Sequence, residues 1–214
     1  MAPKFKAPTE KAVRDLLDKY ACPVPYHEVR TRFLGAIASP VLEKSPMPVV
    51  KALWGGEFPP FDSMDDFNHL LDVLINQLWN SLTKHNERTA TFSLTRLKLD
   101  PSAENLARFA QVRRKELDGF VEGLFGDRDR IDLPERAHQA LGHLGELRAM
   151  MAGIEDLVAR DVQAESRTQL ETTFKHVREL TCIMETEIHE AVLSCTRARR
   201  QMLEGLPTQK PTMH

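Results

Sequence analysis

Pairs of carboxylate and imidazole one helical turn apart are the residues of this sequence best suited to chemistry. Glu135-Arg-Ala-His138 has the Glu-x-x-His spacing that directs both groups at one metal pair in di-iron helical bundles. Asp66-Phe-Asn-His69 is a weaker second copy, because His69 lies nearly opposite the apolar Phe67 around a helix. A metal-dependent, di-iron-like enzyme is therefore one alternative. The simpler interpretation is solvent-facing residues in a first helical turn, favoured by the helix dipole, with no cofactor.

Two further pairs raise the question of a metal or a nucleophile. Glu185 and His189 lie one turn apart, but no further ligands accompany them, so we interpret them as a surface ion pair. Cys22 and His27 resemble a thiol nucleophile and its base near a helix start. Pro23-Val-Pro25 between them disfavours direct contact, and no orienting third residue or oxyanion site accompanies the pair. We expect no catalytic residue and no metal site.

Two basic clusters are the candidate nucleic-acid contacts, Arg113-Arg-Lys115 and Arg197-Ala-Arg-Arg200. The chain has 29 Lys and Arg against 31 Asp and Glu, and its formal net charge of −2 supplies no general attraction to phosphates. Solvation and the dipole at a helix C-terminus account for the clusters. A nucleic-acid-binding regulator remains the second alternative, and it would require Arg197, Arg199 and Arg200 to form one exposed face.

Composition predicts an ordinary globular chain. Of its 214 residues, 42% are hydrophobic and 28% are charged, which suits one domain with an appendage. The longest apolar candidate, Phe33 to Leu42, contains Pro40 and falls short of the ~20 residues that cross a bilayer. The first eight residues lack the apolar core of a secretion signal. We therefore expect a cytoplasmic protein that makes no membrane contact.

Proline and glycine divide the chain into helical blocks, and no long alternating run indicates a sheet. This pattern predicts an all-α fold, an irregular helical bundle followed by a long C-terminal helical hairpin. Thr9, Asp62 or Ser63, and Ser102 stand where helices need an N-cap. The β-like run Thr89 to Leu94 has no partner strand, so we interpret it as an extended connector.

A glycine pair inside one predicted helix indicates a close helix crossing. Gly119 and Gly123 lie one turn apart and together cost about 2 kcal/mol of helix propensity relative to alanine. A helix retains such a pair more readily where another backbone passes close by. Asp118 and Glu122 exclude the membrane version of this small-residue motif.

The last predicted helix, Ser166 to Glu204, carries a heptad seam of more than four repeats. A matching stripe on the preceding helix favours an antiparallel hairpin, and self-association is the alternative. The Ala, Thr and Cys positions in the second half of the seam bury little apolar area, so we expect that half to fray or to need a partner. The tentative partner-binding residues are Leu170, Phe174, Val177, Met184, Ile188 and Met202.

The order and spacing of three blocks resemble the YecA/YgfB-like family of bacterial proteins. The blocks are Phe33–Pro40 with Pro48 and Leu53–Gly56, then Phe67–Thr83, then Arg114–Gly123 with Asp132–Pro134. The structural residues that the resemblance marks are Pro40, Trp54, Gly55, Gly56, Gly119, Gly123 and Pro134.

The resemblance implies a compact α-helical fold, a cytoplasmic location and a homodimer, but no catalytic mechanism. Many relatives end in a Cys-rich zinc-binding tail that this chain lacks, so no metal site carries over. Arg30-Thr31 stands near the place of an acidic Asp-Gly found early in the family's first block. The leading hypothesis is a non-enzymatic helical interaction protein, an adaptor or regulator with a protein partner that the sequence does not identify.

These observations together predict four parts along the chain. They are an N-terminal helix and linker at 1–24, a YecA/YgfB-like helical domain at 25–161, the heptad helix at 166–204 and a disordered tail at 205–214.

Overall fold

The computed structural model describes residues 7–42, 45–160 and 167–205, and every regular element within those ranges is a helix. The predicted all-α fold is therefore confirmed. The α-helices are α1 Glu10–Lys19, α2 Tyr26–Ala38, α3 Pro46–Ala52, α4 Met64–Leu71, α5 Asn80–Leu82, α6 Ala103–Phe125, α7 Glu135–Ala159 and α8 Arg167–Gly205. Of the predicted tail at 205–214, Gly205 is the last residue of α8, and residues 206–214 lie outside the described residues.

Side-chain caps begin the helices where the sequence requires them. The hydroxyl of Ser63 accepts a hydrogen bond from the Asp66 amide, and that of Ser102 accepts one from the Asn105 amide. Thr9 caps α1 in the same way. Each cap satisfies one of the amide groups that a first helical turn leaves without a partner. The three cap predictions are confirmed, with Ser63 rather than Asp62 as the cap of α4.

The helix predicted from Phe67 to Thr83 is not uniform. After α4, residues Asp72–Trp79 form a π-helix, followed by α5 and a 3₁₀ turn at Thr83–Asn86. The Asp72 carboxylate accepts hydrogen bonds from Asn76 at 3.1 Å and from Gln77 at 2.8 Å. The bond to Gln77 joins side chains five residues apart, the same spacing as the backbone hydrogen bonds of a π-helix.

Three glycines let α2 and α6 cross with their backbones in contact. A Cβ atom at Gly123 would overlap the carbonyl oxygen of Arg32, and one at Gly35 would overlap that of Phe120. Gly119 is also closed to a side chain, since its Cβ would lie under 3 Å from atoms of α2. The predicted crossing at Gly119 and Gly123 is confirmed, and it makes α2 the central helix of the bundle.

The heptad face of α8 packs inside the chain, against α2, α6 and α7. Phe174 lies edge-on to Phe109 of α6, with ring centroids 6.2 Å apart. The buried members of the predicted partner surface are Phe174, Val177, Met184 and Ile188. A partner could reach those four side chains only if α8 left the bundle, because the chain's own helices cover them.

The C-terminal half of α8 does not behave as expected. Ala191 and Cys195 are completely buried, so the small residues of the seam pack closely instead of fraying. Leu170 is half-buried and Met202 is exposed. The heptad helix thus completes the same bundle as α2 and α6, while the predicted division of the chain at residues 25 and 161 stays a prediction.

Candidate interaction surfaces

The carboxylate and imidazole pairs do not converge on a metal. Glu135 and His138 are exposed on α7, and the Glu135 carboxylate accepts a hydrogen bond from Gln139 at 2.9 Å. Asp66 accepts hydrogen bonds from Lys19 and Ser63, so it serves as a local anchor. The described residues contain no group of three or more His, Cys, Asp or Glu placed to hold a metal ion.

Glu185 and His189 hold the extended connector, so their interpretation as a surface ion pair is wrong. Glu185 Oε1 accepts a hydrogen bond from the Leu94 amide at 2.8 Å, and His189 Nε2 lies 3.3 Å from the Arg88 carbonyl oxygen. Between residues 90 and 100 the described chain forms no strand. Its buried polar groups must therefore find side-chain partners, and Glu185 of α8 supplies one for the Leu94 amide.

The first basic cluster is part of the core. Arg113 is only 3% exposed and forms an ion pair with the buried carboxylate of Glu116. Arg113 also donates to the Thr95 carbonyl oxygen at 2.7 Å, and Glu116 accepts from the Thr95 amide at 2.8 Å. Burial raises the pKa of Glu116, while the charge of Arg113 opposes that rise. Arg114 pairs with Glu155, so this cluster offers no free cationic patch.

The second basic cluster does not form one exposed face. Arg197 and Arg200 are exposed, but Arg199 reaches inward and donates to the carbonyl oxygens of Ile37 at 2.8 Å and Ser39 at 3.1 Å. Burial lowers the pKa of Arg199. The guanidinium satisfies carbonyl groups that the end of α2 leaves without helical partners. Arg197, Arg199 and Arg200 therefore do not form the single exposed face that nucleic-acid binding would require.

Cys22 and His27 make no catalytic pair. The Cys22 thiol points at the Leu53 carbonyl oxygen, 3.7 Å away, and burial raises its pKa. Burial, followed by the charge of Arg14, lowers the pKa of His27 to about 4. A thiol with a raised pKa remains protonated near neutral pH, which is the opposite of what a nucleophile needs.

The residues that carried the family resemblance have structural roles. Trp54 Nε1 donates to the Tyr20 carbonyl oxygen at 2.9 Å, which ties α3 to α1. Gly55 and Gly56 have φ values of 81° and 106°, so they end α3 in the left-handed conformation that favours glycine. Pro134 is the N-cap residue of α7.

The outer face of α7, defined by Gly142, Gly145, Ala149 and Gly153, is the first surface that packs against no other part of the described chain. At 100° per residue these four positions fall within one narrow sector of the helix, and all four are exposed. A Cβ atom at any of the three glycines would meet nothing within 4 Å. Two large apolar side chains border the sector, Met150 at 52% and Leu157 at 58% exposure.

The outward face of α8 has the opposite character. It carries Glu171, Lys175, Arg178 and Glu179, all exposed to solvent. Such a charged face is typical of the solvent side of an amphipathic helix. The apolar, glycine-rich outer face of α7 is therefore not a general property of the long helices in this chain.

The second surface is a groove beside the α2–α6 crossing. It consists of one hollow of about 590 Å³ and another of about 470 Å³, and both are bounded by Val41 and Arg128. In the larger hollow, Arg32 Nη2 bonds to Glu28 Oε1 at 2.9 Å and pairs with Glu122. The larger hollow is lined by Arg32, Val41, Ser45, Pro48, Val49, Ala52, Glu122, Gly123, Gly126, Asp127 and Arg128. The smaller hollow is lined by Pro40, Val41, Leu42, Arg128, Arg130, Ile131, Asp132 and Met202.

No family model, curated protein or solved structure matches this chain. Among the described residues, no helix combines the length and the apolar character needed to cross a membrane. Function must therefore be argued from the two surfaces themselves.

Proposed function

We propose that this chain is a non-enzymatic helical interaction protein that works as a homodimer, with the outer face of α7 at its two-fold interface. The observation that carries the proposal is the set of three exposed glycines in the middle of α7. Each costs about 1 kcal/mol of helix propensity relative to alanine. No contact within the described chain offsets that loss of helix propensity. Close packing of a second helix against the glycines would offset it.

A second copy of α7 fits this face in the antiparallel direction. With the two-fold axis at the level of residue 147, Gly145 comes opposite the partner's Ala149, and Gly142 comes within one residue of the partner's Gly153. The same register brings the His138 imidazole beside the carboxylate of the partner's Asp156, on one side of the contact. Small residues meet small residues and a base meets an acid, which is the complementarity that a two-fold interface needs.

The face also has the right surroundings for a protein contact. Met150 and Leu157 lie along one side of the glycines and remain half exposed, so they would add apolar burial on that side of the helix contact. Large exposed apolar side chains next to one another are typical of association surfaces.

We further propose that the dimer is an adaptor or regulator in the cytoplasm and a member of the YecA/YgfB-like family. The ordered motifs from Phe33 to Pro134 support that kinship, and the α2–α6 crossing supplies a structural reason for two of their glycines. We retain neither the metal-dependent enzyme nor the nucleic-acid-binding regulator. The carboxylate and imidazole pairs do not converge on a metal site among the described residues. The first basic cluster contains buried or ion-paired arginines, and the arginines of the second do not share one exposed face.

Sedimentation velocity tests the proposal with Gly145→Arg and a matched control, Thr186→Arg. Thr186 is exposed on α8, so both variants add one arginine to a solvent-facing helix position. The native chain and Thr186→Arg should sediment as dimers. Gly145→Arg should weaken the dimer by about 100-fold, roughly 2.7 kcal/mol, because the side chain holds the two helices apart. A monomeric native chain, or a Gly145→Arg variant that dimerises normally, would refute the proposal.

A further inference from the structure

We propose that the homodimer formed through the outer face of α7 tightens as the pH falls from about 7.5 to about 5.5, because His138 of each chain meets the partner's Asp156. This inference rests on the function proposed above and adds its regulation. A neutral imidazole gains little from a neighbouring carboxylate, whereas a protonated imidazole forms an ion pair with it. The pH of the surroundings would thus set the fraction of chains that are paired.

His138 and Asp156 share a centre of symmetry with the small residues of α7. They lie 18 residues apart, which is five helical turns, so both side chains project from the same side of the helix. Both residues are exposed. The midpoint between them is residue 147, which is also the midpoint between Gly145 and Ala149. One two-fold axis therefore brings the small residues together and places each imidazole beside a carboxylate.

The helices beside α7 form their ion pairs with other residues. Arg114 of α6 also feels the charge of Asp156, but it forms its ion pair with Glu155. The described ion pairs of α7 with α6 and α8 are Arg114 with Glu155, Asp118 with Arg148, Glu187 with Arg136 and with His143, and Glu190 with Arg136. Among the described residues, His138 and Asp156 therefore have no ion-pair partner, and a second chain would supply one for each.

The other charges near His138 favour the same antiparallel direction. In the register centred on residue 147, Glu135 comes within one residue of the partner's Arg160, and both residues are exposed. A parallel pair of helices would instead bring like groups together at each level. Carboxylates and guanidinium groups ordinarily keep their charge between about pH 5.5 and pH 7.5, whereas an imidazole does not. His138 is thus the group of this cluster that makes the contact depend on pH.

The sign of the pH dependence follows from proton uptake. An imidazole ordinarily takes up a proton near pH 6.5. Because the carboxylate of the partner's Asp156 favours the charged imidazole, the dimer binds more protons than two separate chains, and acidification shifts the equilibrium toward the dimer. The gain is lost as the pH rises past about 7.5. Two exposed ion pairs, one at each end of the contact, should together tighten the dimer about fivefold.

Sedimentation equilibrium of the full chain at about pH 7.5 and about pH 5.5, at equal ionic strength, tests the inference. The dissociation constant of the native dimer should be about fivefold lower at the acidic pH. His138→Gln should dimerise with nearly the same affinity at both pH values. The control His143→Gln also removes an exposed imidazole, but that ring lies 3.2 Å from Glu187 of its own chain. It should keep the native pH dependence.

A second variant fixes the charge instead of removing it. His138→Lys carries a cation at both pH values, so it should dimerise at about pH 7.5 as tightly as the native chain does at about pH 5.5. Adding Asp156→Asn should abolish that gain.

The outcomes separate this inference from the dimer itself. A native chain that is monomeric at both pH values would overturn the proposed interface and this inference with it. A native dimer that Gly145→Arg disrupts, but whose affinity is the same at both pH values, would overturn this inference alone. So would a pH dependence that persists unchanged in His138→Gln.

Discussion

Two helices of this chain carry glycines in their middle turns, and the surroundings of those glycines are opposite. At Gly119 and Gly123 of α6, the backbone of α2 occupies the space that a side chain would need. At Gly142, Gly145 and Gly153 of α7, that space is empty. The fold therefore accounts for the glycines of α6, whereas nothing in the described chain accounts for those of α7. The explanation proposed for α7 is a second copy of the chain.

The largest expected effect is at the crossing. Gly123→Ala should lower the free energy of unfolding by about 3 kcal/mol, because the new methyl group overlaps the Arg32 carbonyl oxygen and the packed helices must separate. Urea unfolding followed by circular dichroism measures the change. Gly142→Ala is the matched control, and an equal loss in both variants would remove the contrast between the two helices.

On α7, substitution of glycine by alanine should instead raise the free energy of unfolding. Gly142→Ala, Gly145→Ala and Gly153→Ala combined should raise the free energy of unfolding by about 2 kcal/mol, since alanine favours the helix and each added methyl group has open space. Urea unfolding at protein concentrations below the dimer dissociation constant isolates this gain. Destabilisation of the triple variant under those conditions would show that the face is covered by the chain itself.

A pH dependence of the free energy of unfolding should accompany the crossing. His27 of α2 has a pKa of about 4 in the folded chain, below the value near 6.5 expected when unfolded. The unfolded chain therefore binds more protons, and stability present above pH 6.5 is lost as the pH falls toward 4. The loss between pH 7 and pH 5 should be about 1 kcal/mol after allowance for partial exposure.

Urea unfolding of the native chain and His27→Gln at both pH values measures this contribution. The variant should lose less stability on acidification than the native chain. Equal losses in the two proteins would assign the acid sensitivity to other groups.

The smallest expected effect is at Glu146. In the antiparallel dimer its two copies lie close to the two-fold axis on the same side, where like charges repel. Glu146→Gln should therefore tighten the dimer by about threefold at low salt, with a smaller gain at high salt. Sedimentation equilibrium measures the change, and Glu179→Gln on α8 should show none. A weaker dimer in Glu146→Gln would contradict the proposed register.

Local features of the fold could be predicted from the sequence. Thr9, Ser63 and Ser102 cap helices because capping depends on residues only three positions away. The glycine spacing in α6 predicted a crossing, but it did not identify Gly35 as the third member. The apolar pattern also hid the π-helix at Asp72–Trp79, since its buried residues continue a stripe that an α-helix would produce.

Features that depend on distant contacts could not be predicted. The heptad pattern of α8 identified the buried face correctly, but a pattern does not reveal which helix covers it. Glu116 and Glu185 accept hydrogen bonds from backbone amides of the connector. These roles could not be predicted, because the bonded residues are far apart in sequence. The sequence shows the spacing Gly142-x-x-Gly145, but that spacing alone does not indicate an interface. The interface is indicated by the open space that the structure shows beside these glycines.

Disulfide cross-linking of Glu146→Cys in a Cys182→Ser background tests the central claim most directly. The substitution of Cys182 removes the exposed native thiol, while Cys195 is buried and Cys22 is half-buried. The two-fold axis beside residue 146 brings its two copies together, so mild oxidation should link two chains rapidly. The control Thr186→Cys in the same background should link slowly. No covalent dimer through residue 146, or equal rates at both positions, would contradict the α7 interface.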